Sequence, residues 1–341
     1  MLGIRQAAGW RGPALAGLVV AAALALPFLV GGYYVQFATK VMIMGIAAMG
    51  LNLAVGFGGM VSLCHAAFYG LAGYVLALAT PRYDPASLFV TLPLALAVAA
   101  LAALAIGALS LRTRGVYFIM VTLAFGQMLF FVFFDTDVAG GSDGAYIYSK
   151  PEIAVGGRTL LDLERPLNLY LLVLTLTAAT ALLLVRLTLS PFGQALAAAR
   201  HNERRALSLG FPVYRIRLVA FVISGVLAGL AGYFAAAQFG FVAPQMLGWH
   251  LSAIMLVMVV LGGLGSVTGP LIGAVVLLGL EEVLKAWTPY WAILEGAIIF
   301  AIVLGLPGGV GQLADLVMGP AARNESAPAP HPVSARNPGV A

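Results

Sequence analysis

Apolar runs of about twenty residues, separated by short charged stretches, leave few folds open to this chain. A hydrocarbon layer about 30 Å thick is crossed by roughly 20 helical residues, at about 1.5 Å each. Backbone N–H and C=O groups find no water in that layer, so a spanning segment is helical or part of a closed barrel. Runs this long are read as helices. Charged residues make up only 9% of the chain and hydrophobic ones 62%, where a soluble domain carries about 25% charged residues. A water-soluble core does not explain that balance, and chain length therefore does not count soluble domains.

Ten spans are expected, near 14–33, 36–56, 60–80, 87–110, 115–134, 167–188, 216–238, 248–263, 268–286 and 290–306. The first follows Arg5 and Arg11 and resembles a signal peptide. It is long, however, and lacks a clear small-x-small cleavage site, so it is read as a retained helix. The net charge of +5 is explained by topology rather than by nucleic acid, because the basic residues lie mostly in short loops beside the spans. With the N-terminus in the cytoplasm, twelve of the eighteen basic residues fall on the cytoplasmic side, among them Arg112, Arg114, Arg186, Arg200, Arg204, Arg205, Arg215 and Arg217. Lys40, Arg82, Lys150, Arg158, Arg165 and Lys285 are expected outside or near the outer ends of spans. Both termini are then cytoplasmic.

This gives a cytoplasmic N-terminus (1–13), a transmembrane domain (14–310) and a C-terminal tail (311–341) read as disordered from its Pro, Ala and Ser content. The longest external loop, 135–166, is net acidic, and its Ile153–Leu160 stretch reads as a small hairpin around Gly156 and Gly157.

Two kinds of local signal stand out. The first is the cytoplasmic region 190–213. Ser190, Pro191 and Gly193 break the sixth span, Gly210 and Pro212 form a second break, and a short charged helix is expected between the two. Leu196, Ala199, Glu203, Ala206 and Leu207 are expected near one face, with Arg200, Arg204 and Arg205 displaced around it. Such a helix either docks in a partner's groove or only fixes topology.

The second signal is glycine interruption of apolar sequence. It runs from Gly50 to His65, including Asn52, Gly58, Gly59 and Ser62, and again from Gly262 to Pro270, including Gly263 and Gly265. Irregular backbone at membrane depth persists only against protein or a water-filled cavity, so both stretches are candidate pathway elements. Small residues that let helices approach closely are the alternative. Asn52, Ser62, His65 and Gln127 are polar groups in apolar surroundings and are expected to face the bundle interior, for solute contact or for interhelical hydrogen bonds. Glu281, Glu282, Lys285 and Glu295 are expected to snorkel or pair with one another near outer helix ends.

Other chemistries are not indicated. Lys40, Lys150 and Lys285 come after Thr, Ser and Leu, so there is no phosphate-binding loop, and neither an H-E-x-x-H pair nor a G-x-S-x-G elbow occurs. Cys64 is the only cysteine and reads as a packing residue. No metal site, cofactor or covalent catalysis is expected.

Four segments resemble the permease subunit of bacterial ABC importers for branched-chain amino acids, of the M-type. They are GLNLAVGFGGMVSLCHAAFYGLAGY, RTRGVYFIMVTLAFGQM, SPFGQALAAARHNERRALSLGFPVYRIRLVAFVISGVLAGLAGYFAA and MVVLGGLGSVTGPLIGA. The likeness spans roughly residues 40–310. Cys64 departs from it, standing where the family usually has Gly, as does Leu306-Pro307-Gly308-Gly309 in place of a Pro-Arg-Gly ending.

The resemblance implies an all-α membrane protein of the type II ABC importer class, with about ten transmembrane helices, in a bacterial inner membrane. It implies a heterodimer with an H-type permease, two cytoplasmic ATP-binding subunits and an external substrate-binding protein, with membrane lipid around the permeases and no nucleic acid. It also implies that Arg200, Asn202, Glu203, Arg204, Ala206 and Gly210 belong to the region that couples to the ATPase. Permeases for urea and short amides, or for aromatic and other carboxylic acids, share much of the pattern. From the spans alone, an ion-coupled secondary transporter or a non-transporting membrane subunit stays open.

Overall fold

The computed structural model describes residues 23–27, 29–81, 85–155, 158–305 and 309. Within them, each apolar run from the second expected span onward is a helix. The chain runs through α1 (Gly32–Asn52) with a π-helical turn (Leu53–Phe57), α2 (His65–Ala79), α3 (Leu88–Ser110) and α4 (Val116–Asp135). A 3₁₀ turn (Val138–Asp143) and strands β1 (Ala145–Tyr146), β2 (Glu152–Val155) and β3 (Arg158–Asp162) come after it. Next are α5 (Pro166–Leu189), the short α6 (Pro191–His201) and α7 (Glu203–Ser208), and the long α8 (Val213–Phe239). The chain continues through β4 (Phe241–Val242), a 3₁₀ turn (Pro244–Leu247), α9 (Trp249–Gly262), α10 (Gly269–Trp287) and α11 (Trp291–Gly305).

Five of these helices are long and apolar enough to cross a membrane, counting α1 with its π turn, and α2, α9 and α11 are shorter apolar helices. Half of the expected span 14–33 lies outside the described residues, as do the N-terminus 1–13, the tail 311–341, Arg82 and the turn at Gly156 and Gly157. One boundary matters for function. Helix α1 starts at Gly32 rather than near residue 36, so Lys40 lies about two turns inside it, not at its outer end.

Lipid is as apolar as leucine, so helices in a bilayer associate through close packing rather than through a hydrophobic drive. Helix α8 shows how. It packs on α1, α2 and α3. A Cβ at Gly225 would lie 2.6 Å from that of Ala103, one at Gly229 would lie 2.6 Å from that of Ala99, and one at Gly232 would run into the Tyr69 carbonyl. This row of small residues lets α8 backbone touch its neighbours, and it leaves α1 and α8 as the buried centre. Most of α1 is buried inside the protein, whereas α4 buries only Phe118, Thr122 and Gly126.

One end of the bundle carries the strands. β1 pairs antiparallel with β4, joining Ala145 to Val242 and Tyr146 to Phe241. β2 and β3 form the expected hairpin, in which Ile153 faces Leu161, with an irregularity after Ile153. The hairpin is tied to the chain entering α3 by the Glu152 amide, which donates to Ala86 O at 3.0 Å. The opposite end carries α6, α7, the π turn, the α3–α4 link and the loop after α9.

Candidate functional site

At the α6–α7 end the local sequence dictates a bent pair of helices. Ser190 caps α6 by accepting the Gly193 amide at 3.3 Å, and Pro191 occupies the first helical position. The single charged helix expected over this region is in fact two. Asn202 is extended (φ −152°, ψ 96°), and its Oδ1 accepts the Arg205 amide at 3.0 Å, so it ends α6 and caps α7. Gly210, at φ +83°, ends the unit.

The bend changes which residues are covered. Leu196, Ala199, Ala206 and Val213 are buried within the protein, so the first three, expected near one face, are not available to a partner. Leu207, expected on that face, is 51% exposed. With Leu209, Phe211, Arg204 and Arg205 it forms an open apolar and cationic surface on α7 and the turn after it.

Three side chains fasten this pair to the bundle. Arg200 donates from Nη1 to the Gly56 carbonyl in the π turn, and its stem lies over Gly59. Glu203 holds Arg114 Nη2 through Oε1 at 2.8 Å and Arg217 Nη1 through Oε2 at 3.0 Å. Arg217 Nη2 also donates to Ala199 O at 3.2 Å, binding α8 to the end of α6. The Arg114 side chain is 74% exposed and that of Arg217 is 20% exposed. Screening by water therefore leaves the first pair weak, and Arg217 carries most of the attachment.

The contacts continue inward. Asn52 Nδ2 donates to Ser266 O at 2.7 Å, and Asn52 Oδ1 accepts the Gly265 amide at 3.4 Å. Ser266 Oγ in turn accepts the Gly269 amide at 3.2 Å, at the start of α10. The loop between α9 and α10 is possible because Gly263 and Gly265 adopt φ +103° and +86°, and the turn after α1 because Gly59 adopts φ +67°. Both glycine-interrupted segments are thus irregular, and they meet. Asn52, Gly58 and Gly263 are buried there, while Gly59 and Gly265 are exposed.

Ser62 and His65 lie deeper, fully buried. Ser224 Oγ donates to Gly50 O at 2.6 Å and contacts His65 Nε2 at 2.6 Å, while His65 Nδ1 lies 3.2 Å from Ser62 Oγ. With its hydroxyl proton given to Gly50, Ser224 accepts from Nε2–H, and Nδ1 accepts from Ser62. The irregular backbone here is also served by Thr122, which accepts the Leu63 amide at 3.3 Å, and by Ser252, which accepts the Ala66 amide at 2.8 Å. Hydroxyls from α4, α8 and α9 thereby satisfy chain that helix geometry leaves open. Gln127 is half-buried on α4, apart from this network.

A cavity of about 510 Å³ lies toward the strand end, between α1, α2, α8, α9 and α10. Its wall is mainly apolar, from Ile43, Met44, Leu251, Ile254 and Leu278, with Lys40, Tyr69, Gln238 and Glu281 as its polar side chains. None of the eight residues expected to line a pathway borders it. The missed signal was Lys40 itself, a lone ammonium inside an apolar run. Glu281 is bonded to Lys285, as the expectation of mutual pairing had it.

The family model for the branched-chain amino acid transport system permease component matches residues 33–305. The high-affinity branched-chain amino acid transport system permease protein LivM of Salmonella typhimurium is 33% identical over 307 residues, covering 84% of this chain and 72% of that protein. LivM of Escherichia coli matches with the same identity and coverage. The permease LivH of Escherichia coli is 29% identical over 124 residues, 36% of this chain and 40% of its own length. No solved structure gives a significant match. A bundle of apolar helices broken by two glycine-rich segments, with a charged helical pair at one end, is what that match covers. The chain belongs to the branched-chain amino acid transport permease family, as an all-α membrane protein of about ten spans.

Proposed function

We propose that this chain is the M-type permease subunit of an ATP-driven importer of branched-chain or related small amino acids. The observation that carries the reading is the α6–α7 pair: it presents Leu207, Leu209, Phe211, Arg204 and Arg205 outward while Arg200 and Glu203 fasten it to the bundle. A rigid-body push on its open face reaches Gly56 through Arg200, and Asn52, in the adjoining turn of the same helix, holds the loop at Ser266. Arg200, Asn202, Glu203, Arg204, Ala206 and Gly210 form the coupling unit in this mechanism. Asn52, Gly58, Gly59, Gly263 and Gly265 form the inner gate, with Ser62 and His65 bracing it and Gln127 facing the path from α4.

The α6–α7 end and both termini then face the cytoplasm of a bacterial inner membrane, with transmembrane domain 14–310 and tail 311–341. Two ATP-binding subunits bear on the coupling unit and on its counterpart in an H-type permease. The strand end, with loop 135–166, receives an external binding protein. Similarity to LivM supports the cargo class, and similarity to LivH supports a related partner permease.

The test is uptake of labelled leucine by proteoliposomes holding the two permeases and the ATPases, with binding protein outside and ATP inside. Uptake that requires ATP and all four components is expected. Uptake that proceeds without the ATPases and collapses with a proton or sodium gradient would instead identify a secondary transporter. No transport with any partner would leave a structural or receptor role.

A further inference from the structure

Building on the permease reading above, we propose that the cavity between α1, α2, α8, α9 and α10 is a solute site: Lys40 takes a carboxylate, Glu281 takes an ammonium, and an apolar wall takes an aliphatic body. Its volume, about 510 Å³, is within the roughly 300–1,000 Å³ of small-molecule sites.

The charges on its wall argue for the polarity of the solute. Lys40 is half-buried, about two turns inside α1, and among the described residues it has no ion-pair partner. A cation inside an apolar span is costly unless something compensates it, so its place on a cavity wall marks a site for a carboxylate. Across the cavity Glu281 is held by Lys285, which also sits 4.6 Å above the Trp291 ring. Lys285 is therefore engaged, and Glu281 keeps acceptor capacity through its second oxygen. Gln238 donates from Nε2 to Gln36 O at 2.7 Å, and its buried Oε1 has no donor among the described residues. One cation and one shared carboxylate around an aliphatic wall suit a small zwitterion with a branched apolar side chain.

The test is equilibrium binding to the purified permease–ATPase complex in nanodiscs without binding protein, using leucine, its deaminated analogue 4-methylpentanoate and its decarboxylated analogue 3-methylbutylamine. The wild type is expected to bind leucine in the millimolar range or tighter. Lys40→Gln should weaken leucine about tenfold and abolish 4-methylpentanoate binding, while leaving the amine unchanged, and Lys40→Arg should restore the acid. Glu281→Gln should weaken leucine and the amine and spare the acid.

Wild-type complex that binds none of the three, or Lys40→Gln complex that binds leucine as the wild type does, overturns the site. So does loss of the acid and the amine together. Failure of Lys40→Gln to assemble with the partner permease, seen by size exclusion, would reassign Lys40 to the subunit interface. ATP-driven leucine uptake by the wild type, measured in parallel, separates the two ideas. If uptake is intact and binding is unaffected by Lys40, only the site is lost; if uptake is absent, the permease reading falls with it.

Discussion

The two ends of this bundle use their charged side chains differently. At the α6–α7 end a set of side chains ties element to element: Arg200 to Gly56 O, Arg217 to Glu203 and Ala199 O, and the Asn52 amide to Ser266 and Gly265, while Arg217 Nε and the Ser110 hydroxyl stay without a partner among the described residues. Toward the strand end the cavity keeps Lys40 without an ion pair and Gln238 Oε1 without a donor among the described residues. A stitched end resists opening unless a partner pulls on it, and an unsatisfied end waits for a ligand. The division fits a conformation closed toward α6–α7 and open to solute from the other side.

The largest expected effect comes from cutting the stitches that face the coupling unit. A variant with Arg200, Glu203 and Arg204 all replaced by Gln should lose ATP-driven uptake, at least tenfold, while the complex stays folded and still hydrolyses ATP; uptake and hydrolysis measured on one preparation check this. Unchanged coupling would remove the docking role from α6–α7.

Next in size is the Asn52 bridge. Asn52→Ala removes the bonds to the Ser266 carbonyl and the Gly265 amide, and because both of those residues are exposed each lost bond costs about 0.5–1.5 kcal/mol. Hydrogen exchange across residues 263–268 should accelerate, and hydrolysis uncoupled from transport should rise. An exchange pattern like the wild type's would mean that the loop is held by packing alone.

Ser224→Ala should cost about 1–2 kcal/mol, because His65 Nε2 and Gly50 O lose a shared partner in the bundle interior. Thermal denaturation of the purified complex reads that loss, and Ser224→Thr should recover part of it. A last pair of variants, which includes the smallest effect of all at Arg114, separates two arginines on one carboxylate. Arg217→Gln should lower stability by about 1.5–3 kcal/mol, as a charged hydrogen-bonded contact, and Arg114→Gln by no more than about 0.5 kcal/mol. Equal effects from the two would contradict the unequal burial on which that ordering rests.

Helix positions were legible because run length in a bilayer is a hard constraint. The run expected at 87–110 is α3 at Leu88–Ser110, and that at 268–286 is α10 at Gly269–Trp287. Irregular backbone at both glycine segments was legible too, since glycine and serine at that density disfavour helix. Their meeting was not, because it depends on a contact between Asn52 and Ser266, 214 residues apart. The bend at Asn202 left a readable trace, an Asn directly before Glu203 in the pattern of a helix cap, but within a charged stretch it passed for an ordinary helical residue. The cavity could not be read at all, because five helices contribute to it and no local spacing announces their convergence.

The π-helical turn at Leu53–Phe57 has a consequence for which changes of chain length this protein tolerates. A π turn holds one residue more than the α turn it replaces. Deleting any one residue there would return α1 to regular geometry and shift everything after it by one position, pulling Gly56 from Arg200 and moving Gly58–Cys64 against the hydroxyls that serve it. Insertions of several residues in the exposed strand-end loops are absorbed by solvent. In this permease a single codon lost at the π turn is the more damaging change.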